Sequence, residues 1–190
     1  MDPIRRTILS SGIFAVSVAL TGCLDGSSDG GGQSPEIPSP VEHDIMKFAA
    51  TFGVPDWADP DDSASGHLAV FTSVTPTMES LNFNEIDDDR KSTVKGFIEG
   101  TDFETEFLLY VASEGPNSNY RDVEITQLVA EDGVIVGSAK IRSAEETGAD
   151  EAPMYSSVLV RVTADDGWPE RVEMTIVDGW DRERSVEVTP

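Results

Sequence analysis

The sequence predicts a mainly β protein with a minor helical part: a single antiparallel β-sandwich or partly open barrel, with one short helix near residues 90–99. Three observations lead there. Short, turn-bounded runs rich in β-branched residues recur through the second half of the chain. Apolar and polar residues alternate within them, as Val172, Met174 and Ile176 do against Glu173, Thr175 and Val177. Asp132-Gly133 separates two such runs, and Gly accepts the positive φ that a tight hairpin needs.

Taken in order, the first strand is expected over 67–74, closed by Pro76, with loop or turn over 83–89. A helix is expected over 90–99 because Val94, Phe97 and Ile98 share a face. Asp87, Asp88 and Asp89 fall at or before its start, where free backbone N–H groups favour negative charge, and Gly100 ends it. Strands follow over 106–113, 121–130, 134–141, 155–164, 171–177 and 185–188. Val158, Val160 and Val162 alternate with Leu159, Arg161 and Thr163, which predicts one buried face and one wet face. The helix is expected to plug or cover one end of the sandwich. Residues 41–52 carry a helical spacing (Ile45, Phe48, Ala49, Phe52) stopped by Gly53 and Pro55. The acidic stretch 56–62 reads as loop, with Trp57 packing back onto the domain.

The N-terminus divides from this domain. Arg5 and Arg6 precede a short apolar stretch that ends in Leu20-Thr21-Gly22-Cys23. The stretch falls short of the roughly 20 apolar residues a spanning helix needs, and reads as the core of an export signal over residues 1–22. Cys23, the only cysteine, then becomes the lipid-attachment site. The paired arginines resemble the motif read by the folded-protein export route. Residues 23–40 form the lipidated N-terminus and a flexible linker, since Gly, Ser and Pro leave little apolar surface to offset ordering. Residues 41–190 make one β-rich domain.

Charge narrows the partners. Asp and Glu number 36 against 13 Lys and Arg, a net charge of −23. No basic stripe exists to neutralise phosphates, so no nucleic acid is expected. Lipid is reached through the covalent anchor, which leaves a protein or a small ligand as the remaining partner. Self-repulsion is screened over about 3 Å in molar salt but over about 10 Å at 0.1 M. The folded domain is therefore expected to need salt; an unchanged melting temperature between dilute and molar salt would contradict that. Composition, signal and lipid site together resemble exported lipoproteins of extremely halophilic archaea.

With Cys23 lipidated, no thiol remains for a disulfide, a metal or a nucleophile. His43 and His67 are the only histidines, and neither HExxH nor G-x-S-x-G is present. No metal, cofactor or catalytic residue is expected. The runs Asp87-Asp88-Asp89 and Asp59, Asp61, Asp62 lack EF-hand spacing and read as hydrated surface. Two less acidic loops stand out, 114–120 and 177–181. Asn117, Asn119, Tyr120, Asp178 and Trp180 form the candidate binding patch, which Trp57 and Trp168 can join, because aromatic residues on strand-end loops are common recognition elements. The plainer reading makes Tyr120 and Trp180 packing residues at strand ends.

Thr101-Asp102-Phe103, then Phe107-Leu108-Leu109-Tyr110-Val111, Gly115-Pro116 and Tyr120, resembles the small β domain of protease-complex inhibitor type over residues 90–164. The resemblance implies a compact β domain that binds something. The long acidic loop 143–153 and the missing protease-contact segment depart from that pattern, so inhibition is not carried over. The expected function is a membrane-anchored extracytoplasmic lipoprotein with a binding or envelope-associated domain. An extracytoplasmic hydrolase using carboxylates and a purely structural surface protein are the alternatives.

Overall fold

Strand Glu106–Gly115 carries the uninterrupted run Phe107 to Ala112, and such a run suits a strand covered on both faces. That is its situation. The computed structural model describes residues 38–51, 66–86, 88–144, 151–164 and 167–190. Arg5, Arg6, Cys23, Trp57, the run 56–62, Asp87 and residues 145–150 of the acidic loop lie outside them.

The described residues form nine strands: β1 Ser39–Pro40, β2 His43–Thr51, β3 Gly66–Phe71, β4 Glu106–Gly115, β5 Tyr120–Glu131, β6 Val134–Ser143, β7 Met154–Thr163, β8 Arg171–Val177 and β9 Glu183–Val188. Two helices, α1 Val74–Ser80 and α2 Asp88–Glu99, and a 3-10 turn at Phe83–Glu85 lie between β3 and β4. One sheet has the order β1-β5-β6-β8-β9 and the other β2-β7-β4-β3. The chain is thus the mainly β, two-sheet sandwich its pattern predicts. One pairing departs from the antiparallel expectation: β6 and β8 run parallel, because the chain crosses to the other sheet as β7 before returning. Among the described residues no helix is long and apolar enough to cross a membrane.

Two apolar layers hold this together. Phe107, Leu109, Val111, Val158, Val160 and Val162 face the other sheet and meet Ile135, Met174 and Ile176. Leu108, Tyr110, Ala112 and Leu159, on the opposite face, pack against Phe48 and against Val94 and Ile98 of α2. The helix therefore covers a sheet face and does not plug an end. This also corrects the wet face expected for β7. Leu159 is fully buried, and Arg161 lies over the Phe97 ring at 4.8 Å while bonding Asp44 at 2.5 Å.

Other departures have local causes. Residues 43–51 form an edge strand although their apolar spacing is helical; the register shifts between Lys47 and Ala50. Arg90 of α2 donates to the Lys47 and Phe48 carbonyls at that irregularity. Pro76 lies in the first turn of α1, where no intrahelical acceptor awaits its missing N–H. The ordered part begins before residue 41, since Ser39 and Pro40 pair with Ala130 and Val129.

Candidate functional site

The β4–β5 and β8–β9 connections lie at the same end of the sandwich and lock together. Asn117 shapes the first: its Oδ1 accepts from the Asn119 N–H at 3.0 Å, and its carbonyl accepts from the Tyr120 N–H at 3.1 Å. Asp178 shapes the second. Its side chain is 0% exposed, and Oδ1 accepts from the Trp180 and Arg182 N–H groups at 2.8 and 2.9 Å. Its Oδ2 accepts from Arg182 Nε at 2.5 Å. The turn places Asp181 at φ 60°, a left-handed conformation that a short polar side chain tolerates.

Gly179 joins the loops. Its N–H donates to the Glu114 carbonyl at 2.9 Å, and a Cβ there would stand 2.4 Å from Pro116 Cδ and 2.9 Å from Tyr120 Cδ1. Only glycine permits this approach. Ser113 Oγ donates to the Val177 carbonyl and Ser156 Oγ to the Tyr120 carbonyl, tying both loops to the four-stranded sheet.

All five candidate residues thus come to one place, with different parts. Asn117 and Asp178 build the loops, Tyr120 is a half-buried wall, and the Asn119 carbonyl accepts from the Ala144 N–H at 2.8 Å. Trp180 is the ring on offer, 44% exposed. Two organising residues escape the sequence reading's candidate set. The Arg182 guanidinium lies 4.6 Å from the Trp180 ring centroid and bonds Asp178 and, at 3.3 Å, Glu114. Burial raises the Glu114 carboxyl above the ordinary range, outweighing Arg182's attraction, and the Asp178 charge adds to the rise. The spacing Asp178 to Arg182 was the available signal, but it is common in an acidic chain. Glu114 and Asp178 make an unsuitable pair for carboxylate hydrolysis, because buried Asp178 is out of a substrate's reach.

Trp168 does not join this patch. It lies at the other end, its ring 6.0 Å from Phe107 at 35°. Phe107 is the second residue of β4 and Gly115 its last, about 26 Å apart at the strand rise. Here a cavity of about 640 Å³ opens between the sheets. Phe107 and Ile135 are buried in it, Trp168 and Val41 flank it, and Glu42, Glu131 and Asp132 stand on its exposed margin. Ser39 and Pro40, the two residues of β1, also line it.

The histidines stay apart. His43 is on β2 and His67 on β3, the two opposite edges of the four-stranded sheet. His67 is buried with its ring 5.6 Å from that of Tyr155. Among the described residues no group of three His, Cys, Asp or Glu is placed to hold a metal. No protein-family model, curated protein or solved structure matches this chain.

Proposed function

We propose that the chain is an exported lipoprotein, anchored through Cys23, whose β domain binds a partner protein through the loops 114–120 and 177–182. The observation that carries the binding reading is a half-exposed Trp180 on a loop fixed by a fully buried carboxylate. An exposed tryptophan on a preorganised support loses little freedom on association, which is how a few aromatic residues come to dominate an interface. The position agrees with a tether. Ser39 and Pro40 lie at the cavity end of the sandwich, and the loops are at the other. The apolar stretch ending at Cys23 supports the anchor, and the charge of −23 supports a salt-rich milieu of the kind halophilic archaea inhabit.

Two experiments test this reading separately. Cys23→Ser should leave the protein in the soluble fraction after export; equal membrane retention refutes the anchor. Cross-linking on native membranes should capture a defined partner with wild type and lose it with Trp180→Ala, while the melting temperature stays within a few degrees. An identical cross-linked partner in both refutes the contact face.

A further inference from the structure

We propose that the open edge of β9 takes up a β-strand from the partner protein, and that this strand alternates basic with apolar residues. The inference rests on the Trp180 reading: the loop anchors the partner, and β9, which leaves that loop at Glu183, continues the contact along the sandwich.

The backbone of β9 is set up for such pairing. The Asp178 N–H donates to the Arg182 carbonyl at 3.0 Å, so Arg182 faces β8. Alternation along an antiparallel pair then turns Arg184, Val186 and Val188 to β8 as well. It turns the N–H and C=O groups of Glu183, Ser185 and Glu187 to the open edge, and all three residues are exposed. Among the described residues no strand pairs with that edge.

The other sheet edges are blunted, each in its own way. β1 is two residues long, one of them a proline. β5 shifts register between Tyr120 and Asp122 and again between Ile125 and Gln127. β2 shifts between Lys47 and Ala50, where Arg90 occupies the Lys47 and Phe48 carbonyls. β3 is largely buried. Short strands, prolines, irregularities and covering are the usual protections against edge pairing. β9 has none of them: its register with β8 runs unbroken from Val188 against Val172 to Glu183 against Val177.

Side chains specify the incoming strand. Glu183, Ser185 and Glu187 share the outer face, and Glu187 meets Arg171 only at 4.0 Å. Val186 and Val188, on the inner face, are half-buried against the core. An added strand gains main-chain hydrogen bonds, covers the two valines with its own apolar residues and sets its alternate residues opposite the carboxylates. Lys or Arg there makes favourable cross-strand pairs. A second copy of β9 does not. The antiparallel self-pairing that engages all three outward residues sets Glu183 against Glu187 at both ends.

Amide hydrogen exchange on the full chain in detergent tests this, with a blocked peptide of alternating lysine and valine, as long as β9, as the probe. At the lowest salt that keeps the domain folded, saturating peptide should slow exchange at Glu183, Ser185 and Glu187 about tenfold and leave Arg184, Val186 and Val188 unchanged. A twin peptide with glutamate for lysine should bind about tenfold more weakly, a comparison made on wild type alone. Ser185→Pro removes an outward N–H and spares the β8 ladder, so it should abolish the protection. Glu183→Lys with Glu187→Lys should reverse the preference between the peptides. No gain in protection, equal binding of the twins, full protection in folded Ser185→Pro, or concentration-dependent protection without peptide would each overturn the proposal. Trp180→Ala should leave the peptide result intact, which separates the two readings. In cross-linking on native membranes, a partner lost with Trp180→Ala but kept with Ser185→Pro overturns the added strand alone, and a partner kept with Trp180→Ala overturns the loop contact.

Discussion

At the loop end of the sandwich, Asp178 has Arg182 against it, Asp181 has Lys140, and Glu114 shares Arg182. At the end where β1 lies, Glu42, Glu131 and Asp132 stand exposed, and among the described residues none of them forms an ion pair. The same residue types therefore do different work in one chain. Where a carboxylate is removed from water, it orders backbone N–H groups and must have its partners. Where it stays hydrated, it shapes the local field and little of the fold depends on it. Composition alone records both as acidity.

That contrast can be broken by substitution, starting where the effect is largest. Arg182→Ala strips a buried carboxylate of its cation and should cost about 3 kcal/mol, the low end for such a loss because two backbone donors remain on Asp178. Urea unfolding checks it, and a cost under 1 kcal/mol would place Asp178 outside the structural role assigned here. Gly179→Ala should cost roughly 1–3 kcal/mol, because its methyl meets Pro116 and Tyr120, both held by neighbouring strands. A neutral result would mean that the loops separate easily.

The Glu114 carboxyl sharpens the comparison through pH. Its folded-state pKa is raised, so the stability it contributes is complete below its unfolded-state pKa and is lost as pH rises through the folded-state value. Glu114→Gln removes that titration, and its urea midpoint should fall less than the wild-type midpoint between acid and neutral pH. Parallel profiles would contradict the burial argument. The smallest effect belongs to the end where β1 lies: Glu131→Gln should change stability by less than about 0.5 kcal/mol. A larger loss would show that the exposed carboxylates also carry structure.

Much of the architecture was legible because period two and turn residues are local signals. Strand 171–177 has the predicted limits, and helix 90–99 only gains Asp88 and Asp89 at its start. The edge strand at 43–51 was harder to read. An edge covered on one side only need not alternate strictly: Ile45 is 45% exposed while Phe48 is buried. Helix α1 was missed because Pro76 looks the same in sequence whether it ends a strand or opens a helix. In the site, the two loops were readable as a pair, but the burial of Asp178 was not. Nothing local distinguishes it from Asp181, three residues on, which is exposed. The cavity draws on β1, β4, β5, β6, β7 and residues 167–169. A space assembled from such distant segments leaves no spacing to find.

The double covering of β4 also bears on the time course of folding. Phe107 to Ala112 is six residues long, uncharged and free of Pro and Gly, the composition of a segment that adds readily to another strand. β3 precedes it and can pair at once, but its other neighbour, β7, begins only at Met154, and β5 and β6 lie between. Pairings of such sequence separation form in roughly milliseconds to seconds, far more slowly than local hairpins. During that interval one edge of the most apolar strand is open, and the nearest match for it is the same strand in another unfinished chain. Refolding yield should therefore fall with protein concentration even where the finished domain, with its high surface charge, stays in solution.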